Sequence, residues 1–474
     1  MLTRRIRPHR SGKRCLIILA TVTLLCQLEG ARAEWLIDPE GFHVSAHGRT
    51  PCLECHGASK GEEKRSASPY GIPLIDLSAY PSSPHSKLSC LVCHPDSVQY
   101  GHADQRQGDC LACHVRHDEK VIHDAHLNVS CQACHLRGVI PVKNADSGRV
   151  LWRIDREPHS VSRIHQMVLG SEEDACRRCH VKGNSLGAVA MVLPAKSVIC
   201  MPCHPATLSV GDTTTILALF LFLVGFVGVG SVWLSGSLEA GIERREQNKV
   251  LGITRSILGA LFSLRLFSIT KALIMDGVFH RRLFRQAKAR WAIHALIFLP
   301  FVFRFVWGQV GLVASLCRPD YPGTWILLDK NHPATAFFFD LTGTMIMVGI
   351  VCAVVRRARR SSEEILAGLP RPDWAANGLL AGVVLVGFLL EGMRIAMTGS
   401  PLGTEFAFVG YGLSRLFSGV DLTDLYGYVW YAHAILTGFF VAYLPFSGMI
   451  HMITVPLGLA LNAGSEHRDS RLRE

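Results

Sequence analysis

The sequence predicts a mostly α-helical protein in two parts, a loop-rich region followed by a bundle of five membrane-spanning helices. Hydrophobic residues make up 49% of the 474 residues and charged residues only 18%, a composition typical of an integral membrane protein. Long apolar runs begin only after about residue 212, whereas the preceding part is polar and carries most of the 16 cysteines. The boundary between the two parts is therefore predicted near residue 212.

Residues 1–33 have the composition of a cleaved secretory signal. A basic stretch precedes an apolar core from Cys15 to about Leu28, and Ala31 and Ala33 form a small-residue cleavage site. The apolar run is shorter than the ~20 residues of a spanning helix, and an uncleaved anchor is the alternative. This segment carries six of the net eleven positive charges, so the overall charge does not indicate a nucleic-acid partner.

One motif, Cys-x-x-Cys-His, occurs six times between residues 52 and 204. Two thiols at this spacing can form thioethers to one haem, and the adjacent imidazole can bind its iron, as in c-type attachment. A zinc site or a disulfide framework would not require a histidine after every second cysteine. The sequence therefore predicts six covalently bound c haems, held by Cys52, Cys55 and His56; Cys90, Cys93 and His94; Cys110, Cys113 and His114; Cys131, Cys134 and His135; Cys176, Cys179 and His180; and Cys200, Cys203 and His204.

Residues 34–212 would then form a hexahaem c domain. About thirty residues per haem are too few for an ordinary protein core, so the domain is expected to be haem-packed and loop-rich. Export agrees with this assignment, because known bacterial cytochromes c receive their haem outside the cytoplasmic membrane. The domain is therefore expected in the periplasm or at the cell exterior.

Further histidines in this domain are candidates for the second axial ligand of each iron. Three of them lie five residues before the first cysteine of a motif, a weak repeat that favours a ligand supplied just upstream. The last motif has no histidine close upstream, so Met191, a distant histidine or an open site is expected there. The candidate distal ligands are His47, His85, His102, His126 and His165.

Five apolar segments after residue 212 are long enough to span a membrane. Lys and Arg concentrate in 235–290 and 356–360, which places these loops in the cytoplasm and the first part of the chain outside. Residues 250–274 contain charges that favour an interfacial amphipathic helix. The predicted spans are Thr214 to Leu234, Trp291 to Leu316, Ala336 to Val355, Trp374 to Met397 and Tyr428 to Leu459.

Three histidines lie inside the predicted spans, where a polar side chain without a partner is costly. They are His294, His433 and His451. The last two are 18 residues apart, which on one continuous helix puts them on the same face, about 27 Å apart. This spacing predicts a non-covalent haem near each membrane surface. The alternative is a pair of interhelical hydrogen bonds.

Pro445 to Pro456, with His433 upstream, resembles the last helix of the respiratory nitrate reductase gamma subunit, a five-helix dihaem cytochrome b. Arg281 to His294 and Phe388 to Arg394 are similar to the related membrane subunits of heterodisulfide reductase and of the sulfite-reduction-linked quinol-oxidising complex. The resemblance covers about residues 213–462 and implies a membrane cytochrome b domain. Residues 463–474 would be a cytoplasmic tail.

The resemblance also implies that the second and fifth helices each give one ligand per b haem. His294 would pair with His451, near the inner surface. The partner of His433 would fall at Arg304, so His332 is the best substitute and His280 ranks lower. One or two b haems are therefore expected.

The function implied is electron transfer in the bacterial cytoplasmic membrane, from the quinone pool through b and then c haems to a periplasmic cytochrome or another redox acceptor. Glu391 would accept a quinol proton, although an ion pair with Arg394 one turn away explains it equally. Electron transfer in the reverse direction, from a periplasmic donor to the quinone pool, would use the same haems. The alternatives are a haem-bearing anchor for a cytoplasmic iron-sulfur subunit, bound through the basic 235–290 loop, and a periplasmic terminal reductase with one open haem.

Overall fold

The fold is that of a computed structural model of the chain. The predicted signal segment 1–33, residues 250–264 and the tail 463–474 lie outside the part that it describes. The described residues are 52–58, 74–95, 108–114, 124–144, 147–155, 163–167, 173–210, 212–235, 265–318, 321–359, 373–456 and 458–459.

The described residues between 52 and 210, called the motif region below, consist mainly of short helical turns and loops. A helical turn places residues three apart on one side, so each Cys-x-x-Cys spacing directs both thiols the same way. A helix Glu173–Arg177 also enters the fifth motif, and the turns that coincide with the other motifs are Cys52–His56, Cys90–Cys93, Cys110–Ala112, Cys131–His135 and Val198–Cys200.

The described residues of the motif region also include four short strands. β1 (Gly57–Ala58) pairs in parallel with β2 (Ile75–Asp76), and β3 (Val139–Lys143) forms an antiparallel hairpin with β4 (Val150–Ile154). Buried hydrophobic side chains are few among the described residues of this region, and half of them are alanines. The region therefore has little protein core of its own, as the sequence predicts.

The second half of the chain is a helical membrane bundle. Its described residues include five helices that are long and apolar enough to cross a membrane, which confirms the predicted multi-pass membrane protein. The third candidate span begins earlier than its main helix, at a short preceding helix, Pro322–Leu328. The five helices are α1 (Thr213–Ser235), α2 (Lys288–Cys317), α3 (Pro333–Ala358), α4 (Trp374–Met397) and α5 (Thr423–Tyr443).

The last predicted helix is wrong in one respect. α5 ends at Tyr443 and is followed by two short 3-10 turns, separated by Ser447 in an extended conformation. Pro445 lacks the amide hydrogen that would continue the helix. The Asp373 carboxylate then holds the new direction by accepting a hydrogen bond of 3.0 Å from the Gly448 amide. His433 and His451 therefore do not share one face of a continuous helix.

The helices pack in the order α2, α3, α4, α5 and α1. Apolar residues of α1, α3, α4 and α5 form the main buried core, with Ile199 from the motif region among them. Within the described residues, α2 and α5 make little or no direct packing contact. The helices that carry His294 and His433 are therefore not packed directly against each other.

The bundle has two distinct ends. The end at which α2 and α4 finish and α3 and α5 begin contacts the motif region, and is called the docked end below. The opposite end carries Arg356 and Arg357 at the last turn of α3 and is called the basic end. Before α2, a helix at Arg265–Ala272 continues into a π-helix at Leu273–Val278, in which Asp276 pairs with two arginines.

Candidate functional site

A loop of the motif region, residues 181–191 (the docking loop), is bonded to the start of α5. The Gly183 amide donates to the Thr423 hydroxyl at 3.0 Å, and the Ala190 amide donates to the Thr423 carbonyl at 2.9 Å. Lys182 forms an exposed ion pair with Asp424 at 2.5 Å. Asp424 is the main cause of the raised pKa of the Lys182 ammonium. The loop is therefore held mainly by two of its backbone amides, which donate to Thr423, because an exposed ion pair contributes little.

The sixth motif lies directly on the bundle. Gly308 of α2 faces the backbone of His204 and Pro205, and a Cβ on this glycine would stand 3.2 Å from the His204 carbonyl carbon. On another side of the motif, the Ser197 and Thr215 hydroxyls form a buried hydrogen bond of 2.7 Å. A side chain on α2 at this position would push the motif away, so glycine permits the close approach.

Histidine rings meet in pairs with nearly constant spacing. With metal to nitrogen distances of about 2 Å and ring centres roughly 1 Å farther out, two imidazoles on opposite sides of one metal ion have centroids about 6 Å apart. The observed spacings fit one iron between each pair. The pairs are His85 and His114 at 5.7 Å, His94 and His165 at 6.3 Å, His126 and His180 at 6.1 Å, His204 and His433 at 6.5 Å, and His294 and His451 at 6.0 Å.

The pairs join different partners from those that the upstream repeat suggests. His85 precedes the second motif but faces His114 of the third, and His126 precedes the fourth motif but faces His180 of the fifth. The reason is tertiary: neighbouring motifs fold against one another, which brings each upstream histidine to a later motif. His47 and His102 lie outside the described residues, while His56 and His135 end the short helices of the first and fourth motifs.

Three of the paired histidines are oriented by a backbone carbonyl. Nδ1 of His180 lies 2.7 Å from the Val189 carbonyl oxygen, Nδ1 of His451 lies 2.6 Å from that of Gly448, and Nδ1 of His204 lies 3.4 Å from that of Pro205. A carbonyl oxygen only accepts, so each Nδ1 carries the hydrogen and Nε2 keeps a lone pair. This is the arrangement that metal-binding histidines use.

The thiols of consecutive motifs also approach each other. Cys52 of the first motif contacts Cys90 of the second, and Cys110 of the third contacts Cys131 of the fourth by side-chain hydrogen bonds. Burial raises the pKa of the Cys203 thiol in the sixth motif to about 11. Burial, with a smaller contribution from His114, lowers the pKa of His85 and favours the neutral imidazole, the form that binds iron.

In the bundle, the structure brings His294 of α2 to His451, as the sequence analysis expects. Nδ1 of His294 is buried, with no hydrogen-bond partner in the described part of the chain. His280, which ranked low as a ligand, lies only 4.5 Å from His294 by ring centroids. It adopts a left-handed backbone conformation, with φ of 51°, at the start of the helix Arg281–Gln286. Three imidazoles therefore face the gap between α2 and the segment after α5.

The second expected site in the bundle has a different arrangement. Arg304 donates to the Thr342 hydroxyl at 2.7 Å and to the Phe339 carbonyl, and a guanidinium has no lone pair for iron. His332 caps the start of α3, and the described residues show no ring contact between it and His433. His433 faces His204 instead.

A cluster of charged side chains occupies the docked end between α3 and α4. Glu391 and Arg394 form an ion pair at 3.5 Å, and Arg394 also donates to the Asn331 side chain at 2.5 Å. Asp340 is 0% exposed; its carboxylate accepts from the Val409 amide at 2.6 Å and contacts the Glu391 carboxyl. Asp340 is not among the candidates predicted from the sequence, although an acid within an apolar span is a sufficient signal.

Comparison with known proteins identifies relatives for about half of the chain. The membrane subunit of dihydromethanophenazine:CoB–CoM heterodisulfide reductase from Methanosarcina barkeri is 26% identical over 260 residues, which cover 53% of this chain and 90% of the relative. The same component of the reductase from Methanosarcina thermophila is 25% identical, with the same coverage. The chain is similar to the heterodisulfide reductase membrane subunit. This finding confirms one of the resemblances expected from the sequence, and that to the nitrate reductase gamma subunit stays a prediction.

A weaker similarity extends to the probable iron-sulfur-binding oxidoreductase FadF of Bacillus subtilis, which is 25% identical over 194 residues, covering 40% of this chain and 26% of the relative. No family model and no solved structure matches the chain. The similarity to the heterodisulfide reductase component therefore supports a membrane redox protein. Any assignment of cofactors depends on the histidine pairs described above.

Proposed function

We propose that this chain is a membrane electron-transfer protein that oxidises quinol and delivers the electrons to a redox partner on the outer side. It would act as a quinol:cytochrome-type oxidoreductase, or as a subunit of one. Haem groups, when bound, accept and release single electrons. Six would be attached covalently in the motif region and one or two would be held without covalent bonds in the bundle. The chain supplies axial ligands, burial and spacing.

The repeated histidine spacing carries this proposal. Five pairs have ring centroids between 5.7 and 6.5 Å, and four of the five include a motif histidine next to its cysteine pair. Packed aromatic rings of the bundle have similar separations, so the spacing supports the proposal together with the composition of the pairs, in which both rings are imidazoles. The residues therefore fit c-type haems in the motif region and a b-type haem at His294 and His451.

The two ends of the bundle support a direction across the membrane. The basic end carries the arginines that the positive-inside rule places in the cytoplasm. The docked end, with the motif region on it, would then face the periplasm or the cell exterior. The sulfur atoms of consecutive motifs lie near each other, so the motifs are close together within this region.

The buried carboxyl pair supports quinol as the donor. Oxidation of a quinol releases two protons, which require an acceptor near the site. Asp340 is fully buried and contacts Glu391, whose side chain is 17% exposed, and two carboxyl groups in contact can hold a shared proton. Arg394 and Asn331 position Glu391 at the docked end. We assign proton uptake to Glu391, with Asp340 as its partner.

The relatives support the same class of donor. The name of their enzyme gives dihydromethanophenazine, a reduced dihydro compound, as the electron donor and a disulfide as the acceptor. A quinol is likewise a reduced aromatic donor that gives up electrons and protons together. We infer a comparable donor for this chain.

A second candidate is a haem-bearing anchor for a cytoplasmic iron-sulfur protein. Two observations favour it: one relative is named as a subunit of a larger reductase, and another is named as iron-sulfur-binding. In this case electrons would also pass between the bundle and a partner at the basic end. The two candidates differ in whether the isolated chain can be reduced by quinol without a partner protein.

The test is quinol-driven reduction of the purified chain. A menaquinol or ubiquinol analogue is mixed with the protein in a stopped-flow instrument, and the b-type and c-type absorbance bands are followed. We expect both bands to report reduction without any added partner. If quinol reduces no c-type band although dithionite does, the quinol oxidation proposal fails and the anchor is favoured.

A further inference from the structure

The ring contact between His204 and His433 joins the motif region to the membrane bundle. The centroids are 6.5 Å apart and the ring planes differ by only 18°. The spacing is close to that of the pairs inside the motif region. We propose that His433 of α5 is the distal axial ligand of the sixth covalently attached haem. This proposal rests on the proposed function only because it requires a haem at the sixth motif.

The position of the sixth motif is fixed independently of any haem. Gly308 of α2 lies against the His204 and Pro205 backbone, and Ser197 is hydrogen-bonded to Thr215 at the start of α1. Ile199, just before the first motif cysteine, is 4% exposed within the core of the bundle. His204 is therefore held at the docked end by three separate contacts, which direct it toward α5.

His433 is equally fixed from its own side. Its ring lies against Gly387 of α4, where a Cβ would be 3.5 Å from its Cε1 atom. His433 is mostly buried in the bundle, and one turn later the Thr437 hydroxyl donates to the His433 carbonyl at 2.8 Å. A buried imidazole in a membrane helix requires a partner. The His433 ring interacts with the Val383 backbone, and iron bound between His433 and His204 would provide a second partner.

Among the described residues, the other side chains considered for this position have different contacts. The Met191 sulfur packs against Gly427 of α5, where a Cβ would stand only 2.6 Å from it. Arg304, at the position where a second b haem would need a histidine, is bonded to α3 and cannot bind iron. His332 shows no ring contact with His433 among the described residues.

The proposal changes the number of haems that the bundle itself is expected to hold. The histidine that would hold the outer b haem is used instead by a c haem that the motif region inserts at the docked end. The bundle itself then holds a single b haem, at His294 and His451. A ligand from a membrane helix would also fix the distance between the motif region and the bundle.

The test compares His433→Ala with His332→Ala in the full-length protein. We expect His433→Ala to keep six covalent haems and the b haem, while one c haem becomes high-spin and the reduced protein binds one more carbon monoxide per chain than the wild type. His332→Ala should bind no more than the wild type. Loss of b haem without a new carbon monoxide site would overturn the proposal, because His433 would then be a b-haem ligand. The same carbon monoxide site in His332→Ala would also overturn it.

Two further measurements keep the outcomes separate. His433→Met, which can supply a thioether ligand, should return the sixth haem to low spin and raise its midpoint potential relative to the wild type. Peptide mass mapping of residues 198–210 reports whether the sixth motif carries a haem at all. A haem-free peptide would show that the c-haem assignment itself fails at this motif. Haem present with no spin change in His433→Ala and no change of midpoint potential in His433→Met would refute only the pairing.

Discussion

Gly187 offers a direct test of how the docking loop is held on the bundle. Its φ of +77° is in the left-handed region, and a Cβ built on it would stand 2.2 Å from the Met397 carbonyl oxygen of α4. Gly183 in the same loop has a φ of +69°, but its Cβ would meet only the Asp421 carboxylate, at 3.7 Å. The two glycines therefore share backbone strain, and only Gly187 adds steric overlap.

The magnitudes follow from this difference. Gly183→Ala places an L side chain in the left-handed region, which costs about 1–2 kcal/mol and should weaken docking about 5- to 30-fold. Gly187→Ala carries the same strain and also an overlap well inside the 3.4 Å at which ordinary contact begins. The overlapping atom belongs to the backbone of α4 and cannot rotate away, so we expect the loop to lose its docked position.

Hydrogen exchange of the full chain in detergent measures the effect. The Ala190 amide is bonded to the Thr423 carbonyl only while the loop is docked. We expect a moderate increase in its exchange in Gly183→Ala and exchange close to that of an unstructured peptide in Gly187→Ala. Unchanged protection of α3 shows that the bundle is folded. Equal exchange in the two variants would refute the steric argument.

Three further results are expected. A pyridine haemochrome assay should give six covalent c haems to one extractable b haem, and two b haems would contradict the use of His433 by the sixth motif. His451→Ala should remove the b haem and leave the c haems, whereas an unchanged b signal would make His451 a packing residue. Glu391→Gln should slow quinol-driven reduction by about 100-fold, the lower range for a lost proton acceptor, with dithionite reduction as its control; an unchanged quinol rate would exclude Glu391.

The membrane spans could be predicted from the sequence because length and apolar composition are local properties. The first four predicted spans agree with the observed helices to within about three residues at each end, and only α4 has identical bounds. The last span could not be predicted, although Pro445 was visible. Pro300 lies inside α2 without ending it, so the presence of a proline alone does not predict where a helix ends. The break also depends on Asp373, which reaches Gly448 from the start of α4.

The histidine pairs show a similar limit. The sequence identifies which histidines are candidates, because the residue type and the motif are local. It does not identify partners, because pairing depends on how the motifs fold against one another and against the bundle. The five-residue spacing of His85 and His126 suggested a local ligand, yet both face later motifs. The partner of His204 lies in the other half of the chain.

Distances along α2 and α5 explain why the helix break matters to the site. His204 contacts both helices, against Gly308 of α2 and facing His433 of α5. On α2, His294 lies 14 residues from Gly308, which is about 21 Å along the helix axis. If α5 continued without a break, His451 would lie 18 residues from His433, or about 27 Å along the axis. The mismatch exceeds the 5.4 Å pitch of one turn. Because the chain turns after α5 instead of continuing, the His451 ring comes to 6.0 Å from the His294 ring. The break after α5, which was not predicted from the sequence, therefore brings His451 to the level of His294.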